Sequence, residues 1–147
     1  MSTTQVDFYL LEAASDDEAE RFLCRLCEKA FRLSQRVLVV VDEPQLSRLD
    51  TLLWAYRPES FLPHEIADPS AAQSVIPILL SSTSDQASGR DVVVNLANTL
   101  PASAAQESRI VELVWGDPQA RAQRRARFRE YRALGLNPGT IQIDARF

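Results

Sequence analysis

The chain is expected to fold as a single α/β domain on a mostly parallel open sheet with helices on both faces. Three observations carry this expectation. Short runs such as RVLVVV at 36–41 and DVVVNL at 91–96 are apolar without alternation, as in strands covered on both faces. Segments of helical periodicity separate the runs, so strands and helices alternate along the chain. A length of 147 residues with 46% hydrophobic content is enough for one core and too little for two.

Residues 6–11 (VDFYLL) form a first short strand. Ser15, Asp16, Asp17 and Glu18 then supply a cap and the carboxylates that a helix start favours. Ala19, Phe22, Leu23, Leu26, Ala30 and Phe31 follow at helical spacing, to an end near Ser34. Residues 36–41 are the second strand. Pro44 opens another amphipathic helix, with Leu46, Leu49, Leu52, Leu53 and Trp54, and Pro58 closes it. Residues 61–64 are irregular or edge structure, 75–80 a strand interrupted by Pro77, and 81–89 a polar loop. Residues 91–96 and 110–115 (IVELVW) are further buried strands, separated by the small, alanine-rich stretch 101–108. The last helix has Asp117 as cap and Pro118 at its first position, and it stops at Gly135. The domain is thus placed at 1–137, and 138–147 is read as a C-terminal tail.

No apolar run approaches the roughly 20 residues of a membrane helix, and residues 1–7 have no signal-like pattern. Cys24 and Cys27, the only cysteines, resemble no secreted disulfide framework. A cytoplasmic protein without membrane contact is expected. The net charge of −4 disfavours a protein that coats nucleic acid over its whole surface. The charge is unevenly spread, however. Between Pro118 and Gly135 six arginines (Arg121, Arg124, Arg125, Arg127, Arg129, Arg132) stand against Glu130, giving +5 there and leaving −9 for the remainder.

The glycines argue against nucleotide binding. They are Gly89, Gly116, Gly135 and Gly139, and none lies in the first strand-to-helix turn, where Glu12 would repel phosphate. The single histidine, His64, follows Pro63 with no serine or cysteine in an elbow-like motif, so a hydrogen-bonded loop histidine is favoured over a catalytic base. Cys24 and Cys27 lie inside a helix, where buried thiols are expected rather than a redox pair or zinc ligands. Asp16 and Asp17 suit a helix start better than acid and base. Asp42, Asp91 and Asp117 border strands, which would suit a metal-dependent nuclease, but such aspartates are commonly turn or cap residues. No catalytic residues, metal, cofactor or small-molecule substrate is expected.

Two constellations can carry function. In the last helix Arg121, Arg125, Phe128 and Arg132 share one stripe, while Ala122, Ala126 and Ala133 form a small-residue face able to approach the sheet. Guanidinium groups flanking a ring suit a ligand with negative charge and apolar bulk, such as an acidic peptide or chain terminus. A solvated basic helix face is the plain alternative. The second constellation, 53–64 (LWAYRPESFLPH), gathers Trp54, Tyr56 and Phe61 near a helix end, as interface hot spots or as rings capping the core.

The blocks VDFYLL, LDTLLWAYRPESFLPHEI, GRDVVVNL and RRARFREYRALGL occur in an order and spacing that resembles the chi subunit family of bacterial DNA polymerase III. The likeness spans nearly the whole chain. Its most specific parts are residues 54–64, with Glu59, Ser60 and Phe61 before Pro63 and His64, and Tyr131, Arg132 and Gly135. It implies a Rossmann-like domain without nucleotide, a non-catalytic accessory subunit joined to the clamp loader through the psi subunit. It further implies binding to the acidic, phenylalanine-ended tail of the single-stranded-DNA-binding protein, and so to DNA only indirectly. By position the tail-binding residues are Val114, Arg121, Arg125, Phe128 and Arg132, with Arg125 the principal carboxylate contact. Psi-facing residues match Trp54 and Phe61, with Pro63 and His64 adjoining. The chain departs from the family in Arg121, where lysine can occur, and Phe128, where tyrosine can; charge and ring are kept, while a hydroxyl is lost. The leading expectation is therefore an adaptor in DNA replication. The alternative is a direct single-stranded nucleic-acid binder that uses the same arginines on phosphates.

Overall fold

In the computed structural model, residues 4–11, 15–56, 61–68, 75–87, 89–97, 99–101 and 109–143 are described. Every strand pair among them is parallel. The elements run β1 (Gln5–Leu11), α1 (Asp16–Arg32), β2 (Val37–Val40), a 3-10 turn at Glu43–Gln45, α2 (Leu46–Ala55), β3 (His64–Ile66), β4 (Ile78–Ser81), β5 (Val92–Asn95), β6 (Arg109–Val114), α3 (Pro118–Ala133) and β7 (Gly139–Ile143). They build one seven-stranded sheet in the order β3-β4-β2-β5-β6-β1-β7.

Successive side chains of a strand point to opposite faces, and the continuous apolar runs supply both. On one face Val37, Val39 and Val41 pack with Leu23 and Cys27 of α1 and with Leu49 and Leu53 of α2. On the other, Leu38 and Val40 join Phe8, Val114, Tyr131 and Leu136 beneath α3. Helices therefore cover both faces, as the sequence predicts, and the two cysteines are buried core residues.

Local chemistry sets the ends of the helices. The Ser15 hydroxyl accepts from the Glu18 backbone N–H at 3.2 Å while the Glu18 carboxylate accepts from the Ser15 N–H at 3.0 Å. Hydrogen bonding from Ser15, its backbone N–H first, holds the Glu18 carboxyl below its ordinary range. Asp117 caps α3 by accepting from the Ala120 N–H at 2.8 Å, and Gly135 follows the helix at φ +83°. Asp91 accepts from the Arg36 N–H at 2.7 Å, a turn role like that expected of strand-border aspartates. Buried Arg90 donates to the carbonyls of Ile76 (2.5 Å) and Pro77 (3.1 Å), tying β5 to the entry of β4.

The structure differs from the sequence reading in several places. Residues 138–147 are not simply a tail: Gly139–Ile143 is a seventh strand, in register with β1 through Asp7↔Gly139 to Leu11↔Ile143. It is mostly exposed, so its side chains carry little apolar signal. The strand expected at 75–80 begins only after Pro77, which lacks the N–H for a ladder bond. The loop after β4 is polar, yet Ser84 and Ala87 are buried in it. Residues 12–14, 57–60, 102–108 and 144–147, including Glu12, Pro58, Glu59 and Ser60, lie outside the described residues. No helix among the described residues is long and apolar enough to cross a membrane.

Candidate protein-docking sites

A charged residue in a doubly covered strand needs partners on the element above it. Glu112 of β6 is 0% exposed, and its partners fix how α3 sits. Arg127 Nε donates to Glu112 Oε1 at 3.1 Å; Tyr131 Oη and Asn95 Nδ2 donate to Oε2 at 2.5 and 2.7 Å. Burial pushes the Glu112 carboxyl above its ordinary range, with the Arg127 charge the main opposing influence. Burial and the Glu112 charge push the Tyr131 hydroxyl up as well, so it remains a donor.

This cluster overturns the expected rotation of α3. The face against the sheet carries Arg127 and Tyr131, both buried, while Ala122, Ala126 and Ala133 are exposed. The stripe survives with a different footing. Phe128 is half-buried against Phe8, ring centroids 5.4 Å apart, and Arg132 lies 5.2 Å over the Phe128 ring. Arg125 and Arg132 are exposed, and Arg121 is half-buried.

Between α3, β1 and β7 opens a cavity of about 250 Å³ lined by Phe8, Leu10, Arg125, Phe128, Arg129 and Thr140. Its floor is apolar and its rim cationic. Of the residues assigned from the resemblance, Arg125 and Phe128 line it and Arg132 borders it through the Phe128 ring. Val114, 1% exposed, lies below in the same core cluster and supports rather than lines it. Sequence reasoning omits Phe8, Leu10, Arg129 and Thr140. Only parallel pairing of β1 with β7 brings Phe8 beside Thr140.

The second constellation gathers at the other end of the sheet, around edge strand β3. Trp54 and Phe61 are 53% and 64% exposed, too open to be caps on the core, and their rings are 5.3 Å apart. The Trp54 ring also lies 4.6 Å from that of His64. His64 itself is buried: Nδ1 is 2.6 Å from the Leu62 carbonyl, and Nε2 is 3.3 Å from both the carbonyl and a carboxylate oxygen of Asp50. It buttresses Trp54 and is closed to a substrate. Pro63 is half-buried between Phe61 and His64. Among the described residues no group of three or more His, Cys, Asp or Glu side chains could hold a metal ion.

Comparison with known proteins gives concordant relatives. The family model for "DNA polymerase III chi subunit, HolC" matches residues 3–139. DNA polymerase III subunit chi of Pseudomonas aeruginosa is 38% identical over 133 residues, covering 90% of this chain and 92% of that relative. The subunit of the same description from Escherichia coli K12 is 28% identical over 138 residues, covering 90% and 94%. Among solved structures, the crystal structure of T4 UvsW superposes with a TM-score of 0.64 at 6% identity. The match covers 99% of this chain but 43% of that one, and at this identity it bears on the fold alone.

Proposed function

The chain belongs to the DNA polymerase III chi subunit family, accessory rather than catalytic components of the replicative polymerase, and from that premise we propose that it is an adaptor for two protein partners. One is the acidic, phenylalanine-ended tail of the single-stranded-DNA-binding protein; the other is the psi subunit of the clamp loader.

The cavity between α3, β1 and β7 carries the first assignment. A terminal phenylalanine ring enters against Phe8, Leu10 and Phe128, and the carboxylates of the tail meet Arg125, Arg129 and Arg132 around the rim. Arg121 extends the cationic flank toward the start of the helix, and Val114 holds Phe128 from below. The Trp54 and Phe61 rings, with Pro63 beside them and His64 behind, form the psi-facing surface. A paired, exposed aromatic patch of this kind is ordinary hot-spot material. DNA is reached only through the tail-bearing protein, and replication is the setting in which cytoplasmic polymerase and coated single strand are coupled.

Fluorescence polarisation with a labelled tail peptide tests this reading. Wild type binds, binding weakens as salt rises because part of the attraction is screened charge, and Arg125→Ala costs about 2 kcal/mol or more. Unchanged affinity in Arg125→Ala would remove the site. A bare oligonucleotide that bound as tightly as the peptide would favour direct nucleic-acid binding instead.

A further inference from the structure

On the flank of α3 away from the tail cavity, Ala120, Gln123, Arg124 and Arg127 line a second cavity of about 390 Å³. The two cavities have no lining residue in common. Arg127 is 3% exposed; its Nε is held by Glu112, but its Nη2 has no hydrogen-bond partner. Arg124 Nε and Nη1 are likewise buried and unpartnered. Buried donors in native structures are nearly always satisfied, so three orphaned guanidinium nitrogens beside one cavity call for an acceptor. We propose that this cavity is a binding site for a terminal phosphate group.

The chemistry favours phosphate over other anions. Glu112 pairs with Arg127, Asp16 and Asp42 lie within attracting range of Arg124, and no acid among the described residues lines the cavity itself. Three donors from two guanidinium planes match a tetrahedral group with three free oxygens. A carboxylate and an internal phosphodiester each offer two. Arg124 is also fixed in advance: its guanidinium stacks 3.8 Å over the Trp115 ring, and the indole N–H donates to Asp16 at 2.9 Å. The opposite side of Arg124 borders a groove with Asp16, Glu20 and Asp42, acids that confine an anion to the Gln123 side. Trp115 directly follows β6, so the site lies at the carboxyl end of that strand, where parallel α/β sheets receive ligands. Side-chain guanidinium groups stand here in place of the glycine loop that the chain lacks.

The chain has two tryptophans, so Trp54→Phe leaves Trp115 as the sole indole reporter. In that background, inorganic phosphate and a deoxynucleoside 5′-monophosphate are titrated by Trp115 emission and by calorimetry, against potassium chloride at matched ionic strength. Saturable binding of both is expected, tighter for the monophosphate, whose carrier fills the remaining volume. Arg124→Gln and the exposed Gln123→Glu should each weaken it about tenfold or more, whereas Arg125→Ala should leave it unchanged while losing the tail peptide. No saturation beyond the chloride response, or equal affinity in both weakened variants, overturns the site. Equal binding of an unphosphorylated dinucleotide, which has only an internal diester, overturns the preference for a terminal group. Because the tail peptide reads the other flank, failure here and failure of the adaptor reading are distinguishable.

Discussion

Arg127→Met tests whether the buried cluster on β6 sets the position of α3. The Arg127 and Glu112 side chains are 4% and 0% exposed, and the pair closes at 3.1 Å. Methionine keeps most of the arginine stem and removes the charge, leaving Glu112 buried with only Tyr131 and Asn95 as donors. Breaking such a pair from one side costs about 3–5 kcal/mol, a large share of the roughly 5–15 kcal/mol that holds a domain. The cost should depend on pH, with a definite sign. Glu112 is already pushed above its ordinary value of 4.5 by burial, and Arg127 is the main influence opposing that. In the variant the folded-state value rises further. A carboxyl raised on folding contributes stability below its unfolded value and loses it as pH rises through its folded value. Urea unfolding followed by circular dichroism at about pH 5 and about pH 7.5 should therefore show the larger loss at the higher pH. The double variant Glu112→Gln/Arg127→Met, which removes both charges and keeps an amide oxygen to accept from Tyr131 and Asn95, should recover most of the loss. An equal loss at both pH values, or a double variant no better than Arg127→Met, would refute the reasoning.

Three further outcomes are expected. Asp117→Ala, which removes the cap bond to Ala120, should lower stability by about 1 kcal/mol in a thermal melt, with Asp117→Ser largely restoring it; an unchanged melt would mean the cap is idle. Cys24 and Cys27 are 2% and 0% exposed, and burial pushes the Cys24 thiol up to about 12 and Cys27 also upward. Neither should react with Ellman's reagent at about pH 8 until urea is added, and prompt reaction of the folded protein would contradict their core placement. Trp54→Ser/Phe61→Ser should shift stability by less than about 0.5 kcal/mol, as for exposed positions generally, while abolishing capture of psi. Retained psi binding would point to another surface.

The legible parts of the fold were those where one residue type decides the outcome. The runs VLVV of β2 and VVVN of β5 are covered on both faces and announce themselves by lack of alternation. Ser15, Asp117 and Gly135 mark helix ends through specific cap chemistry. β7 was hidden because GTIQI is short, lies at the sheet edge and alternates with exposed Thr140 and Gln142. The rotation of α3 was misjudged because alanines suit close approach, whereas the buried face is chosen by Glu112. The signal was present: a glutamate inside IVELVW and an asparagine closing DVVVNL cannot be buried alone, and the arginine-rich helix with Tyr131 was the available source of donors. The Arg125 and Phe128 part of the cavity beside α3 was legible from spacing. Its Phe8 and Leu10 floor was not, because it depends on pairings between distant segments.

Those distant pairings bear on the order in which the molecule assembles. β1 lies between β6 and β7, and its bond from Arg109 to Asp7 spans 102 positions. The strands β2, β4 and β5 can find one another within the middle of the chain, but the first strand has no neighbour until nearly everything else exists. At roughly 5–20 residues per second of synthesis, Val6 and Phe8 wait about 5–20 s with no sheet to join, and loop-closure entropy then slows their docking. The cavity floored by Phe8 and Leu10 is thus among the last features to form, so the tail binding proposed for it would report that the whole sheet is complete.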